Sequence, residues 1–400
     1  MRNKQTFLWI MALVIGFVIG LLDIQILNTV MDFIAKIYTR LFQLLAVPTI
    51  AVAVFATLTM LGNEKNTGRI FGHVIKYTLF TTFLAAIVAV AIYYIIAPTN
   101  LPKSLVESGL ADVPKDLNAM SYGDYLMEIV PNNIIKPFLD SNVLSILLIT
   151  FVAGIGLSKL PDSDNKASIV KFVLGLQELL FLLIRALVRT FPLGIAAFSV
   201  QLAVQVNGGM AFDSIGKYTL VVLLSNVIQM FIILPLFLLG NKINPIKAIQ
   251  GMSPALLTAF FTKSSAATLP LTIETAEERM KVSPRVSRFV LPICTTINMN
   301  GCAAFIAITS IFVMQNSGLQ LSWFEIFLWI MISVISAIGN AGVPMGCYFL
   351  TLSLMSGMGG AIGIMGVILP IYTIIDMVET SENVWSDSCI AIVTNQKVKP

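Results

Sequence analysis

Asp376, Thr380, Asn383 and Asp387 are separated by four, three and four residues. At about 100° per residue, that spacing puts all four on one stripe of a helix. Glu379 lies at the edge of the stripe, and Glu382 points to the opposite side. The stripe offers oxygen ligands, which suit a hard monovalent cation or a substrate ammonium group. It sits within Ile371–Asp387, near the end of a very apolar chain. A lone carboxylate at the centre of a bilayer costs about 3 kcal/mol or more. A segment with several must use them, or bury them facing protein or water. A polar seam packed between helices explains the stripe as well as a ligand site does.

The rest of the chain must supply the elements that hold this stripe. Hydrophobic residues make up 57% of the 400 and charged residues only 12%, against about 25% charged in globular chains. Mean hydropathy is +0.88. Apolar runs recur along the whole length, so the sequence predicts an all-α polytopic membrane protein. The net charge of +4 says little about partners, and no nucleic-acid partner is expected. Cys294, Cys302, Cys347 and Cys389 are scattered in apolar runs, with no CxxC pair. His73 is the only histidine, so a zinc-dependent enzyme lacks ligands.

Apolar runs are expected as spans near 7–22, 33–61, 77–97, 143–157, 172–205 and 218–239. The first is read as a retained helix rather than a signal peptide. Residues 63–76 read as a short basic loop, and 98–140 as an ordered polar loop with short helices. Arg185 and Arg189 share a helical face in the fifth run, as interfacial anchors or lipid contacts. Lys and Arg counts place the loops near 63–76, 158–171, 241–247 and 277–288 inside, with both termini.

That count leaves Ile249–Glu274 between two inside loops, so it must enter and leave from the same side. Its middle, Phe261-Thr-Lys-Ser-Ser-Ala-Ala-Thr-Leu-Pro270, is small, polar and ends on proline. Such a sequence suits the tip of a re-entrant hairpin. A second tip, Ser336-Ala-Ile-Gly-Asn-Ala-Gly-Val-Pro344, lies between Trp323–Ile335 and Tyr348–Ser356. Paired interrupted segments point to a transporter binding site. Between them, Thr295-Thr-Ile-Asn-Met-Asn-Gly301 breaks an apolar helix and frees carbonyls of the kind a Na⁺ site uses.

These motifs resemble the dicarboxylate/amino acid:cation symporter family, the glutamate transporter homologues. Lys263–Pro270 is similar to the family's serine-rich first hairpin, and Asn298–Gly301 resembles its NMDGT motif. Ile338–Pro344 resembles the second hairpin. Asp376, Thr380, Asn383 and Asp387 match the final helix. The correspondence runs over nearly the whole chain.

The resemblance implies eight transmembrane helices plus two re-entrant helical hairpins, a glutamate-transporter-like elevator fold. The chain would be one transporter unit of a homotrimer in a bacterial inner membrane. Residues 1–72 and 141–217 would form the scaffold. Residues 73–97 and 218–395 would form the transport part, with hairpin 1 at 249–276 and hairpin 2 at 322–357. The resemblance further implies an α-ammonium partner in Asp376. Backbone N–H groups near Ser264, Ser265, Gly342 and Val343 would hold the α-carboxylate. Thr380, Asn383 and Cys302 complete the pocket, Cys302 standing where the motif has threonine. Na⁺ would bind at Cys294, Asn298, Asn383 and Asp387. A second Na⁺ would use Thr296, Met299, Ala337, Ile338 and Asn340. A third site, near Thr81, Thr82, Asn298 and Asn300, lacks the family's aspartate, which Asn300 replaces.

Glu379 stands where acidic-substrate members carry arginine. It would repel a side-chain carboxylate and accept a hydrogen bond from a hydroxyl. The pattern therefore looks most like the bacterial serine/threonine sodium symporters. Cationic side chains, acidic substrates and H⁺ coupling are the alternatives within the family. A channel would pass current without substrate. An enzyme would have to use Ser264 or Ser265 without a nearby base. No cofactor is expected beyond the coupling ion.

Overall fold

The computed structural model describes residues 2–61, 68–101, 130–139, 143–206, 211–338, 340, 345–357 and 363–398. The regular structure among them is helical. The helices are α1 (Arg2–Leu21), α2 (Gln25–Leu61), α3 (Gly68–Ile96), α4 (Lys136–Leu139), α5 (Val143–Lys159), α6 (Asp164–Val206) and α7 (Ala211–Ile228). A π turn, Gln229–Ile233, leads into α8 (Leu234–Gly240). Then come α9 (Pro245–Thr262), α10 (Ser265–Glu278), α11 (Pro284–Ile297), α12 (Asn300–Asn316), α13 (Trp323–Ala337), α14 (Gly346–Gly357) and α15 (Gly363–Val398).

Local chemistry sets the starts. The Asn244 side chain accepts from Lys247 N, and Pro245 fixes the first turn of α9. The Ser264 side chain accepts from Ala267 N at the head of α10. Ser322 and Glu325 form a capping box on α13. Beyond α10, Ser287 donates to Glu277 at 2.6 Å. Arg288 grips the same carboxylate through Nε at 2.9 Å and Nη2 at 3.0 Å. Arg288 and then Ser287 hold the Glu277 carboxyl below its usual range.

Helix α12 is the centre of the molecule. It is buried on every side, the pattern of a helix enclosed by protein rather than lying at a surface. It packs against α3, α13, α14, α15 and α7. α9 and α10 pack on each other and on α15, forming the first hairpin. The arms of the second differ. Both α13 and α14 lie on α12, while α13 leans on α3 and α14 on α2 and α5. Elsewhere α1 and α2 pack along α6. Gly16 and Gly20, one turn apart on α1, meet the backbone of Ala196 and Val200 on α6, where a Cβ has no room.

Several sequence expectations need correction. Residues 68–76, expected as loop, are the first turns of α3, where His73 stacks on Tyr77 at 5.7 Å between centroids. Pro270 does not end the first tip but sits inside α10; the break falls nearly two turns earlier, at Lys263–Ser264. Three described helices are long and apolar enough to cross a membrane: Ile70–Ile96, Asp213–Gly240 and Pro284–Asn316. The last counts α11 and α12 together across their break. A fourth is reached if Gly363–Leu369 and Ile371–Val398, bent by 70°, form one span, with Pro370 at the bend. The described residues thus give fewer than eight. α5, with 17 residues, stands at the short end of the range for a helical span. Of the 98–140 loop, the described residues include 98–101, 130–139 and the one-turn α4; the remainder lies outside them. Arg189 is exposed.

Candidate functional site

Two helix breaks and the middle of α15 meet in the core. Between α11 and α12 the chain leaves helical geometry at Asn298 and Met299. Asn298 Nδ2 donates to Asp387 Oδ1 at 2.8 Å and to Ser386 Oγ at 2.9 Å. Asn300 Nδ2 donates to the same Ser386 Oγ at 2.8 Å. The N–H of Gly301 donates to Asn383 Oδ1 at 2.9 Å. The expected NMNG motif and α15 are therefore joined by four hydrogen bonds in a buried seam, two to the stripe at Asn383 and Asp387 and two to the neighbouring Ser386.

Thr81 and Thr82 reach this seam from α3. Thr82 Oγ1 donates to Asn300 Oδ1 at 2.8 Å. Thr81 Oγ1 lies 3.3 Å from both Asn298 Oδ1 and Asn300 Oδ1. The four residues expected at the third cation site are thus together, with the amide oxygens already accepting from hydroxyls. Cys294 is buried on α11, and its carbonyl accepts Asn298 N at 2.8 Å. The Ala337 carbonyl accepts Asn340 N at 3.1 Å, and Met299 O accepts Ala303 N at 2.9 Å. Thr296 is half-buried in the last turn of α11, and Ile338 follows the end of α13.

Asp376 takes a hydrogen bond from the residue before α14 and feels the charge of Lys263 at the α9–α10 break. Met345 N, just before α14, donates to Asp376 Oδ2 at 3.0 Å. From the first hairpin, the Lys263 ammonium acts on the same carboxylate. Lys263 is 5% exposed and caps α9 with φ of +52°, a left-handed conformation that side chains other than glycine rarely adopt. Met345, at φ +65°, is held the same way. Met345 N thus presents left-handed backbone directly to the carboxylate, a common feature of functional sites. Thr380 Oγ1 lies 3.5 Å from Asp376 Oδ1, the outer limit of a hydrogen bond. Nothing in the sequence assigned Lys263 a role; a lone lysine in an apolar hairpin was the available signal.

Glu379 is buried and bonded on one side. Tyr372 OH donates to its Oε2 at 2.6 Å, while Oε1 has no hydrogen bond of ordinary geometry and the Cys347 thiol acts on the carboxylate. Cys302, Cys347 and Asp376 lie close enough to act electrostatically on this group or one another. Cys302 is fully buried, and Asn340 Nδ2 donates to Cys347 Sγ at 3.1 Å. Ser264 and Ser265 are buried at the head of α10. Gly342 and Val343 lie outside the described residues.

Glu382 corrects the helical-wheel expectation. It is 0% exposed, not turned away from the site. A Cβ built at Gly301 would meet Asn226 Oδ1 at 2.7 Å, Glu382 Oε2 at 2.9 Å and Glu379 Cα at 3.2 Å. The backbone of α15 cannot yield as a flexible side chain does. Gly301→Ala is therefore expected to wedge α12 from α15 and lower uptake by about tenfold or more. Uptake by the purified variant in proteoliposomes, unchanged from the parent, would contradict this close packing.

A further contact locks α15 to α7. In the π turn, Leu234 N–H bonds to Gln229 O, one residue further back than in an α-helix. Met230 O thereby loses its usual donor, and the next residue, Pro235, has none. Trp385 Nε1 fills the vacancy at 3.0 Å. This fixes the register of α15 one turn from Glu382.

A family model described as "Sodium:dicarboxylate symporter family" matches residues 6–397. The human neutral amino acid transporter A is 27% identical over 400 residues, covering 90% of this chain and 74% of that protein. The rabbit neutral amino acid transporter B(0) is 27% identical over 348 residues, covering 78% of this chain and 64% of its own. The mouse excitatory amino acid transporter 3 is 31% identical over 249 residues, covering 62% and 47%. Neutral and excitatory relatives stand at similar distance, so overall identity does not choose a substrate. With a family match running over nearly its full length, the chain belongs to the sodium:dicarboxylate symporter family.

Proposed function

We propose that this chain couples Na⁺ entry to the uptake of a small neutral amino acid, with serine and threonine first. Family membership makes it a multi-pass membrane transporter rather than an enzyme. The finer reading rests on one observation. Asp376 takes a hydrogen bond from Met345 N and feels the charge of Lys263, and one turn away Glu379 keeps an oxygen without a hydrogen bond of ordinary geometry where a side-chain carboxylate would need a cation.

In this reading the α-ammonium of the substrate takes the Asp376 carboxylate, displacing Lys263 and Met345 N from it. The first N–H groups of α10, at Ser265 and Ala266, have no intrahelical partner by helix geometry and face an anion with the helix dipole behind them. They and Lys263 receive the α-carboxylate, with the second tip at Gly342 and Val343 closing over it. A hydroxyl on the side chain donates to Glu379 Oε1. Thr380, Asn383 and Cys302 line the remainder. One Na⁺ takes backbone oxygens at Cys294, Asn298 and Asn383 and the carboxylate of Asp387. A second uses Thr296, Met299, Ala337, Ile338 and Asn340. At the third site, Thr81, Thr82, Asn298 and Asn300 provide oxygens without a charge.

Alternating access in this reading is an elevator movement of residues 73–97 and 218–395, with eight spans and two hairpins, against a trimeric scaffold of 1–72 and 141–217. Both termini then lie on the cytoplasmic side of a bacterial inner membrane. The packing of α1 and α2 on α6, and of α12 on α3, α7 and α15, supports that division.

Thermal stability of the purified protein tests ligand and ion together. Serine and threonine are expected to raise the unfolding temperature in Na⁺ but not in K⁺. Larger stabilisation by aspartate or succinate would overturn the substrate reading. Asp387→Asn is expected to raise the Na⁺ concentration needed for this effect by about tenfold or more, since an amide lacks the charge that offsets the cation. An unchanged Na⁺ requirement would remove Asp387 from the ion site.

A further inference from the structure

Glu382 and Asn226 meet over Gly301 from two different helices. Both are at least 99% buried, Glu382 on α15 and Asn226 on α7. Neither oxygen of Glu382 has a hydrogen bond of ordinary geometry, and neither does Asn226 Oδ1. The Asn226 amide is oriented by its nitrogen, which donates to Val222 O at 2.8 Å and leaves the oxygen turned inward. Asn226 Oδ1 and Glu382 Oε2 lie 2.7 and 2.9 Å from the point a Gly301 Cβ would occupy. Two acceptors thus converge on the space that the missing side chain leaves; the Gly301 N–H and the Asn300 amide act on Glu382 from the start of α12, but not through a hydrogen bond of ordinary geometry.

The two donors that act on Glu382 make their well-formed hydrogen bonds elsewhere. Gly301 N–H serves Asn383, and the Asn300 amide serves Ser386. The charged side chains that act across this space are carboxylates: Asp387 on Glu382, and Glu382 in turn on Glu379. The start of α12 gives some positive potential, but a buried carboxylate with like-charged neighbours needs a full compensating charge. Converging oxygen acceptors whose neighbouring donors are committed to other groups are an environment for a hard cation.

We propose that Glu382 and Asn226 form a binding site for a hard monovalent cation of the Na⁺ class, separate from the sites built on Asp387, on the 337–340 backbone and on Thr81–Thr82. The proposal rests on the Na⁺-coupled reading above and adds an ion to it. Glu382 supplies the charge and two oxygens, Asn226 a third. Gly301 is required because any side chain would fill the space.

The test is equilibrium binding of radiolabelled Na⁺ to the purified full-length protein, with Li⁺ and K⁺ as competitors and no amino acid present. Glu382→Gln is expected to lower the Na⁺ bound at saturation by one per chain. Adding Asn226→Asp to that variant returns a carboxylate from the other side and is expected to restore the lost ion. If Glu382→Gln does not fold, Asn226→Asp in the parent serves instead, and it is expected to tighten Na⁺ binding by about tenfold through the added charge. An unchanged count and affinity in Glu382→Gln, with the parent binding Na⁺ normally, overturns this site alone and leaves Glu382 as a carboxylate held by the start of α12. An unchanged count with altered proton release puts a proton there and overturns it too. A parent that binds no Na⁺ overturns the site and the Na⁺-coupled reading together.

Discussion

Asp376→Asn is expected to lower serine uptake by at least about a hundredfold. Removing one partner of a buried, hydrogen-bonded charge pair costs about 3–5 kcal/mol, and each 1.4 kcal/mol is about a factor of ten in affinity. The substitution keeps the shape of the side chain and an oxygen for Met345 N, so the second tip can still dock. It also strands the buried Lys263 ammonium, which loses the carboxylate it acts on. Lys263→Met in the same background should therefore recover thermal stability without recovering uptake. The measurement that separates substrate from ion is Na⁺-dependent stabilisation, which Asp376→Asn should retain because Asp387 and the helix break are untouched. Serine uptake within about threefold of the parent would show that the ammonium binds elsewhere.

Glu379→Arg should produce the second large change, a reversal of side-chain selectivity. Serine uptake is expected to fall at least about tenfold, and aspartate uptake to rise from background. An arginine here offers a planar, bidentate partner to a side-chain carboxylate, which the native glutamate repels. The competing outcome is an arginine that pairs with Asp376 one turn away and closes the site to every substrate. Glu379→Gln distinguishes them. It keeps the acceptor for Tyr372 OH and an amide toward the pocket, and removes only the charge. Serine uptake within about threefold, with loss of any lysine or arginine uptake, identifies Glu379 as a charge filter. A variant indistinguishable from the parent over the full amino acid panel would make Glu379 a structural carboxylate bonded to Tyr372, and the serine assignment would lose its main support.

The spacing of Asp376, Thr380, Asn383 and Asp387 was enough to predict a stripe, because it is local in sequence; that the stripe meets the 298–301 break came only from the family resemblance. The break between α9 and α10 was legible from the small, polar residues at 262–267. Glu382 was not. A helical wheel places it about 120° from Asp376, and one stripe facing one cavity leaves it outside. That geometry is right and the inference from it fails, because from Glu379 to Asn395 α15 is enclosed by protein on every side. The signal was present in Glu379-Thr-Ser-Glu-Asn-Val-Trp-Ser-Asp-Ser388: no face of that stretch is apolar enough for lipid. Lys263 escaped for a different reason. Its neighbour Asp376 is more than a hundred residues away, and no periodicity carries that contact. The π turn that frees Met230 for Trp385 depends on Pro235 and a shifted register, which a residue pattern does not encode.

The most direct measurement is uptake by proteoliposomes containing only this protein, over a panel of labelled serine, threonine, alanine, aspartate, succinate and lysine, with an inward Na⁺ gradient and with K⁺ in its place. Concentrative uptake of serine and threonine that collapses without Na⁺, with little aspartate or succinate transport, is the expected result. Uptake of aspartate or succinate above serine, or serine uptake indifferent to Na⁺, would contradict it.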